Sequence, residues 1–123
     1  AGEIGSIPYL DRDYEYYCSS RFFVGRGTTG KEAYERAAAG DPEALALWRE
    51  FGGHVGQLVM LVLYTYDPEA IVFGGSIAHA FGFFREAMYE QLKRFPYAKT
   101  VEGLHICCSN IDHVGLLGAS ACE

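Results

Sequence analysis

Apolar residues at Leu45, Trp48, Phe51, Val55, Leu58 and Val62 recur at steps of three and four, the spacing that holds side chains on one face of a helix. Asp41-Pro42-Glu43 starts that helix, with an aspartate to cap it and a proline where no N–H is needed. Gly52-Gly53 is expected to weaken it. Beyond Val55 it is apolar on nearly every side, which predicts heavy burial, and Asp67-Pro68 closes it. Upstream, Thr29 and Glu32 have the spacing of a capping box before "AYERAAAG", a run of helix formers that stops at Gly40. Downstream, "AIVF" (70–73) reads as a short buried strand with a tight exit at Gly74-Gly75-Ser76. One helix is then predicted from the stripe Ile77, Ala80, Phe81, Phe84, Met88, Leu92 and Phe95, with Arg85, Glu86, Glu90, Lys93 and Arg94 on its outer face. "LHICC" (104–108) reads as a second strand and "HVGLLGASAC" (113–122) as a closing helix of small residues. Residues 1–10 suggest a short strand and turn ending at Pro8, and 11–23 fit helix or strand equally. The order of elements is that of an α/β domain.

Composition narrows the classes of function. The 123 residues are 50% hydrophobic and 15% aromatic, enough for a real core. A net charge of −6 argues against a general nucleic-acid binder, which needs a basic face. The longest apolar run, Leu58 to Leu63, is far below the ~20 residues that cross a bilayer. The opening "AGEIGSIPYL" has neither a secretory leader's pattern nor an initiator Met, so a cut or processed chain in the cytoplasm is expected. Cys18, Cys107, Cys108 and Cys122 match no zinc or redox spacing and read as reduced core thiols.

Candidate chemistry is sparse. "FFVGRGTTGKE" (22–32) comes one residue short of a phosphate-cradling loop. The place that needs Ser or Thr for Mg²⁺ holds Glu32, whose charge repels phosphate, so the stretch reads as a turn before a capped helix. Arg26 and Lys31 then read as solvated loop cations. "IVFGGSIA" is a better candidate, because two glycines where a strand gives way to a helix let a ligand approach the backbone. A plain turn explains it equally well on local sequence alone. Glu3 and Glu15 lie among polar and aromatic residues, a setting that suits sugar hydroxyls, although solvated acids look the same. His54, His79, His105 and His113 have no metal spacing.

Taken together, five stretches resemble the ROK family of bacterial repressors and sugar kinases, in that family's order. They are "GEIGS" (2–6), "EYYCSS" (15–20), "EAYERAAAGDPEALALW" (32–48), "YDPEAIVFGGSIA" (66–78) and "VGLLGASA" (114–121). The resemblance runs over essentially residues 1–123. It implies the C-terminal lobe of an actin-like ATPase (ribonuclease H-like) fold, in which two lobes close over ATP and a hexose. Glu3 and Glu15 match the family glutamates that accept hydrogen bonds from the sugar. Gly74, Gly75 and Ser76 match the segment that lies against the nucleotide.

The departures carry expectations too. Ser6 stands where the family has a histidine that approaches both zinc and sugar, and "LDRDYEYYC" replaces the cysteine knuckle. No structural zinc is expected, because one thiol and a serine cannot close a tetrahedral site. The phosphate loop and the catalytic aspartate of the family's kinases belong to an N-terminal lobe that these residues do not include. Two functions follow from the resemblance. One is an ATP- and Mg²⁺-dependent, glucokinase-like hexose kinase whose catalytic base lies on the other lobe. The other is a sugar-sensing regulator similar to the N-acetylglucosamine repressor, reading DNA through a separate N-terminal domain. A homodimer is expected in either case.

Overall fold

The computed structural model describes residues 6–108; Glu3 and the closing helix expected at 113–122 lie outside them. A hairpin comes first, with Pro8–Tyr9 (β1) antiparallel to Arg12–Asp13 (β2) and Leu10 turning between them at φ 54. The first strand therefore begins at Pro8 rather than ending there. Proline lacks an N–H for the ladder but fits the first position of a strand. The ambiguous stretch resolves into two single helical turns, α1 (Tyr14–Tyr17) and α2 (Arg21–Val24).

Helix α3 (Gly30–Ala38) starts where its cap predicts, with Thr29 Oγ1 accepting the Glu32 N–H at 3.1 Å. Only half of the capping box forms. The Glu32 carboxylate instead accepts the Thr28 hydroxyl at 3.0 Å. Gly40 ends the helix at φ 91, a conformation that favours glycine. In α4 (Pro42–Tyr66), the Asp41 carboxylate accepts the Glu43 N–H at 3.1 Å and pairs with Arg36 at 2.6 Å.

Helix α4 runs unbroken through Gly52 and Gly53. The chain continues into β3 (Ala70–Phe73), α5 (Gly75–His79), α6 (Phe81–Leu92), α7 (Ala98–Glu102) and β4 (His105–Cys108). Strands β3 and β4 pair in parallel, with Ala70 opposite His105 and Phe73 opposite Cys108. The chain is thus α/β, as its periodicity predicts. The single helix expected after β3 is two, broken at Ala80 (φ −95, ψ 5).

Helix α6 lies along α4 in the most extensive contact of the fold. Gly52 and Gly56 make that approach close: a Cβ at Gly56 would stand 2.5 Å from Gln91 Cβ and 2.9 Å from the Met88 carbonyl. Phe22 and Phe23 of α2, Trp48 and Phe51 of α4 and Phe84 of α6 form an aromatic core, all buried. Full burial of each such ring contributes about 1.5–3 kcal/mol. Most of the stripe predicted after β3 is buried as expected, at Ala80, Phe84, Met88, Leu92 and Phe95.

The heavy burial predicted beyond Val55 holds for Val55, Gly56, Val59 and Leu63, on the covered face of α4. Leu58, Leu61 and Val62 are half-buried, and Tyr64 and Tyr66 are exposed. Cys18 and Cys108 are free thiols, while Cys107 is disulfide-bonded, against the expectation of reduced cysteines throughout. No helix of the described residues is long and apolar enough to cross a membrane.

Candidate functional site

At the carboxyl end of β3, Gly74 caps α5 with extended backbone (φ −121, ψ 177), which any residue can adopt. A Cβ there would meet no atom of the described residues within 4 Å. Among the described residues neither dihedral strain nor packing demands glycine, so Gly74 leaves space beside the backbone. That space lies where ligands of α/β sheets bind, outside the carboxyl ends of parallel strands. Gly75 and Ser76 form the first turn of α5.

Helix α5 packs on α3, and a cavity of about 330 Å³ opens between them and the aromatic core. Phe23, Tyr34, Trp48 and Ile77 give it apolar walls, and Ser20, Lys31 and His79 give it polar edges. Gly30 also lines it, at the first turn of α3. Among the described residues Trp48 Nε1 is buried without a hydrogen-bond partner. An unmatched buried donor costs about 1–3 kcal/mol. Lys31 forms no ion pair among the described residues. Flat aromatic walls and one unpaired cation suit a heteroaromatic ring that carries negative charge.

Glu15 lies on α1, capped by Asp13, whose carboxylate accepts the Tyr16 N–H at 2.9 Å. Positions 14, 17 and 18 share one face of this turn. The Tyr14 ring stacks on Tyr9 at 4.3 Å, Tyr17 lies 4.7 Å from the His54 ring, and Cys18 Sγ donates to the His54 carbonyl at 3.4 Å. Glu15 falls on the opposite face and is exposed, with no hydrogen bond or ion pair among the described residues.

His54 is the centre of the contact between α1, the hairpin and α4. Its Nε2 lies 3.4 Å from Glu50 Oε2, and a carboxylate only accepts, so Nε2 carries the proton. Nδ1 therefore accepts the Tyr9 hydroxyl at 2.8 Å. Glu50 is gripped by both terminal nitrogens of Arg26, one at 2.9 Å, and the Arg26 guanidinium lies 4.6 Å over the Phe22 ring. Burial pulls His54 below the ordinary histidine range, with Glu50 opposing. Burial pushes the Tyr9 hydroxyl and the Cys18 thiol each up to about 12.

The structure thus describes Glu15, Gly74, Gly75 and Ser76 but not Glu3, so the expected pair of acids is not seen together. It sets Gly75 and Ser76 at the start of the helix that walls the cavity. The sequence reading passed over Tyr34, placed Trp48 in the helical stripe, weighed His79 only for metal spacing, and set Lys31 aside as a solvated cation. The one available signal was "GTTGKE". It is no Walker loop, since Glu32 is engaged with Thr28 and Thr29, yet its glycine and lysine do line the cavity. Among the described residues no group of three His, Cys, Asp or Glu side chains could hold a metal ion.

The family model described as ROK matches residues 10–122. No curated protein matches the chain significantly. Among solved structures, a presumed sugar kinase from Cytophaga hutchinsonii is similar with a TM-score of 0.83 at 17% identity, over 94% of this chain and 45% of that one. A ROK family transcriptional regulator, a homologue of the E. coli MLC protein, is similar with a TM-score of 0.76 at 18% identity, over 87% of this chain and 34% of that one. At such identities the likeness is one of fold, and the chain spans less than half the length of either structure.

Proposed function

The chain belongs to the ROK family, and on that premise we propose that it forms the C-terminal lobe of an ATP-dependent, glucokinase-like hexose kinase. The observation that carries this reading is the cavity between α3, α5 and the aromatic core, with aromatic walls and Lys31 on its edge. Tyr34 and Ile77 would flank the adenine, and Lys31 would face the phosphate charge. The backbone at Gly74 to Ser76 would lie against the nucleotide, where the missing side chain of Gly74 lets it come close. Glu15, exposed on α1, would accept hydrogen bonds from sugar hydroxyls together with Glu3. Bound Mg²⁺ supplies neutralisation of phosphate charge in such chemistry. This lobe's own contribution is to hold both substrates in line. The group that accepts the hydroxyl proton belongs to the other lobe.

A second reading, a sugar-sensing transcriptional regulator, is favoured by the likeness to the ROK regulator. DNA contacts would then lie on a separate segment, consistent with the acidic charge of this chain. The two readings part at the cavity. Calorimetric titration of the full-length protein with ATP–Mg²⁺ and with a panel of hexoses, followed by an assay for hexose phosphate, tests them. The kinase reading expects both ligands to bind, product to form, and Lys31→Glu to weaken ATP at least tenfold. Hexose binding without ATP binding overturns it in favour of the regulator. Binding of neither overturns both.

A further inference from the structure

We propose that Tyr9 and His54 are positioning residues for the sugar, latching the hairpin and α1 onto α4 so that Glu15 is presented at a fixed place. This rests on the reading of Glu15 as a sugar ligand. The hairpin and α1 are short, two residues per strand and four in the helix, and cannot hold a geometry alone. Their hold on α4 converges on one residue. The His54 ring takes the Tyr9 hydroxyl at 2.8 Å, and its backbone carbonyl takes the Cys18 thiol at 3.4 Å. Tyr17 covers the same ring at 4.7 Å. From behind, Arg26 fixes Glu50 and Glu50 faces Nε2, which keeps Nδ1 free to accept from Tyr9. Glu15 is on the far side of α1 and touches none of this, so a change at Tyr9 reaches the sugar only through the placement of α1.

The latch depends on a neutral imidazole. The groups facing His54 are Glu50 on its own helix, Tyr9 from the hairpin, Tyr17 and Cys18 from α1, and Arg26 from the loop after α2. Arg94 of α6 and Arg49 of α4 line the adjoining cleft. Burial outweighs Glu50, so protonation is disfavoured in the folded state. The contribution of the latch is complete above the ordinary histidine range and declines as pH falls through it toward the depressed folded value. A proton on Nδ1 removes the acceptor that Tyr9 needs.

The test is calorimetric titration of the full-length protein with D-glucose and N-acetyl-D-glucosamine, and separately with ATP. The variants are Tyr9→Phe, His54→Asn, His54→Ala and Glu15→Gln. Tyr9→Phe and His54→Ala should weaken the bound hexose about 5- to 10-fold, the worth of one hydrogen bond, and leave ATP unchanged. His54→Asn sets an amide oxygen near the place of Nδ1. It should retain hexose affinity at pH 7.5 and lose the decline that the unaltered protein shows toward pH 5. Glu15→Gln binding hexose normally overturns the reading of the sugar site itself. Loss in Glu15→Gln with no loss in Tyr9→Phe overturns the latch alone. Equal losses for hexose and ATP in Tyr9→Phe, or a pH profile as flat in the unaltered protein as in His54→Asn, also overturn it.

Discussion

Alanine placed at two adjacent glycines of α4 should move stability in opposite directions. Helix propensity favours alanine over glycine by about 1 kcal/mol at either position. At Gly53 nothing opposes that gain, because an added Cβ would find its nearest neighbour, Gln91 Nε2, at 3.8 Å, an ordinary contact. Gly53→Ala should therefore stabilise by about 0.5–1 kcal/mol. At Gly52 the added Cβ would overlap the Phe84 carbonyl oxygen and lie 3.0 Å from Ala87 Cβ. Backbone cannot rotate aside, so α4 and α6 must part by roughly 1 Å to regain contact distance. A gap of that size forfeits about a quarter to a half of the dispersion well along the seam. That seam holds Phe51, Val55, Phe84 and Met88, all buried. Overpacking of this kind costs about 1–3 kcal/mol, which exceeds the propensity gain. Gly52→Ala should be net destabilising, by up to about 2 kcal/mol. Urea denaturation followed by far-ultraviolet circular dichroism measures both. If Gly52→Ala proves as stabilising as Gly53→Ala, the close approach of the two helices is wrong.

Three further outcomes follow from particular contacts. Thr29→Ala removes the oxygen that takes the Glu32 N–H and should cost about 1 kcal/mol, whereas Thr29→Ser should cost little, both read from denaturation midpoints. Phe84→Ala empties a fully buried site among Trp48, Phe51, Phe73 and Phe81 and should cost about 3–5 kcal/mol. Cys18, with its thiol pushed up to about 12, should stay unreactive toward a disulfide reagent at pH 8 in the folded protein and react on unfolding. Rapid labelling of native Cys18 would contradict its burial.

What was legible in the sequence was whatever chemistry acts within one turn. Asp41-Pro42 and Thr29 announce their helices because a cap is satisfied by the next two or three residues. The stripe from Leu45 to Val62 and the one from Ala80 to Phe95 announce theirs because a buried face repeats at helical period. The break at Ala80 and the five-residue α7 have no period to read. The exposure of the outer face of α4 depends on what packs against it, and an apolar residue looks the same in the chain whether covered or not. Gly52 shows the limit from the other side. In the sequence it is a weak point of the helix, and in the fold it is the condition for α6 to approach.

The candidate site divides along the same line. Gly74-Gly75-Ser76 stands out in the sequence because glycine after a strand has few causes, and the structure removes two of them at Gly74, dihedral strain and packing. The cavity beside it could not be read, because its walls come from α2, α3, α4 and α5 and meet only in three dimensions. Trp48 belongs to both descriptions. It sits in the helical stripe and packs 4.4 Å from Phe23, as a core residue should. Yet its indole N–H, buried without a partner, is what a core built only for stability would have avoided by using phenylalanine. A donor left unmatched in the core beside a cavity has a cost that only a nearby acceptor would remove. Trp48→Phe should then leave stability unchanged or improved while weakening the cavity's ligand, and the opposite pattern would make Trp48 a packing residue alone.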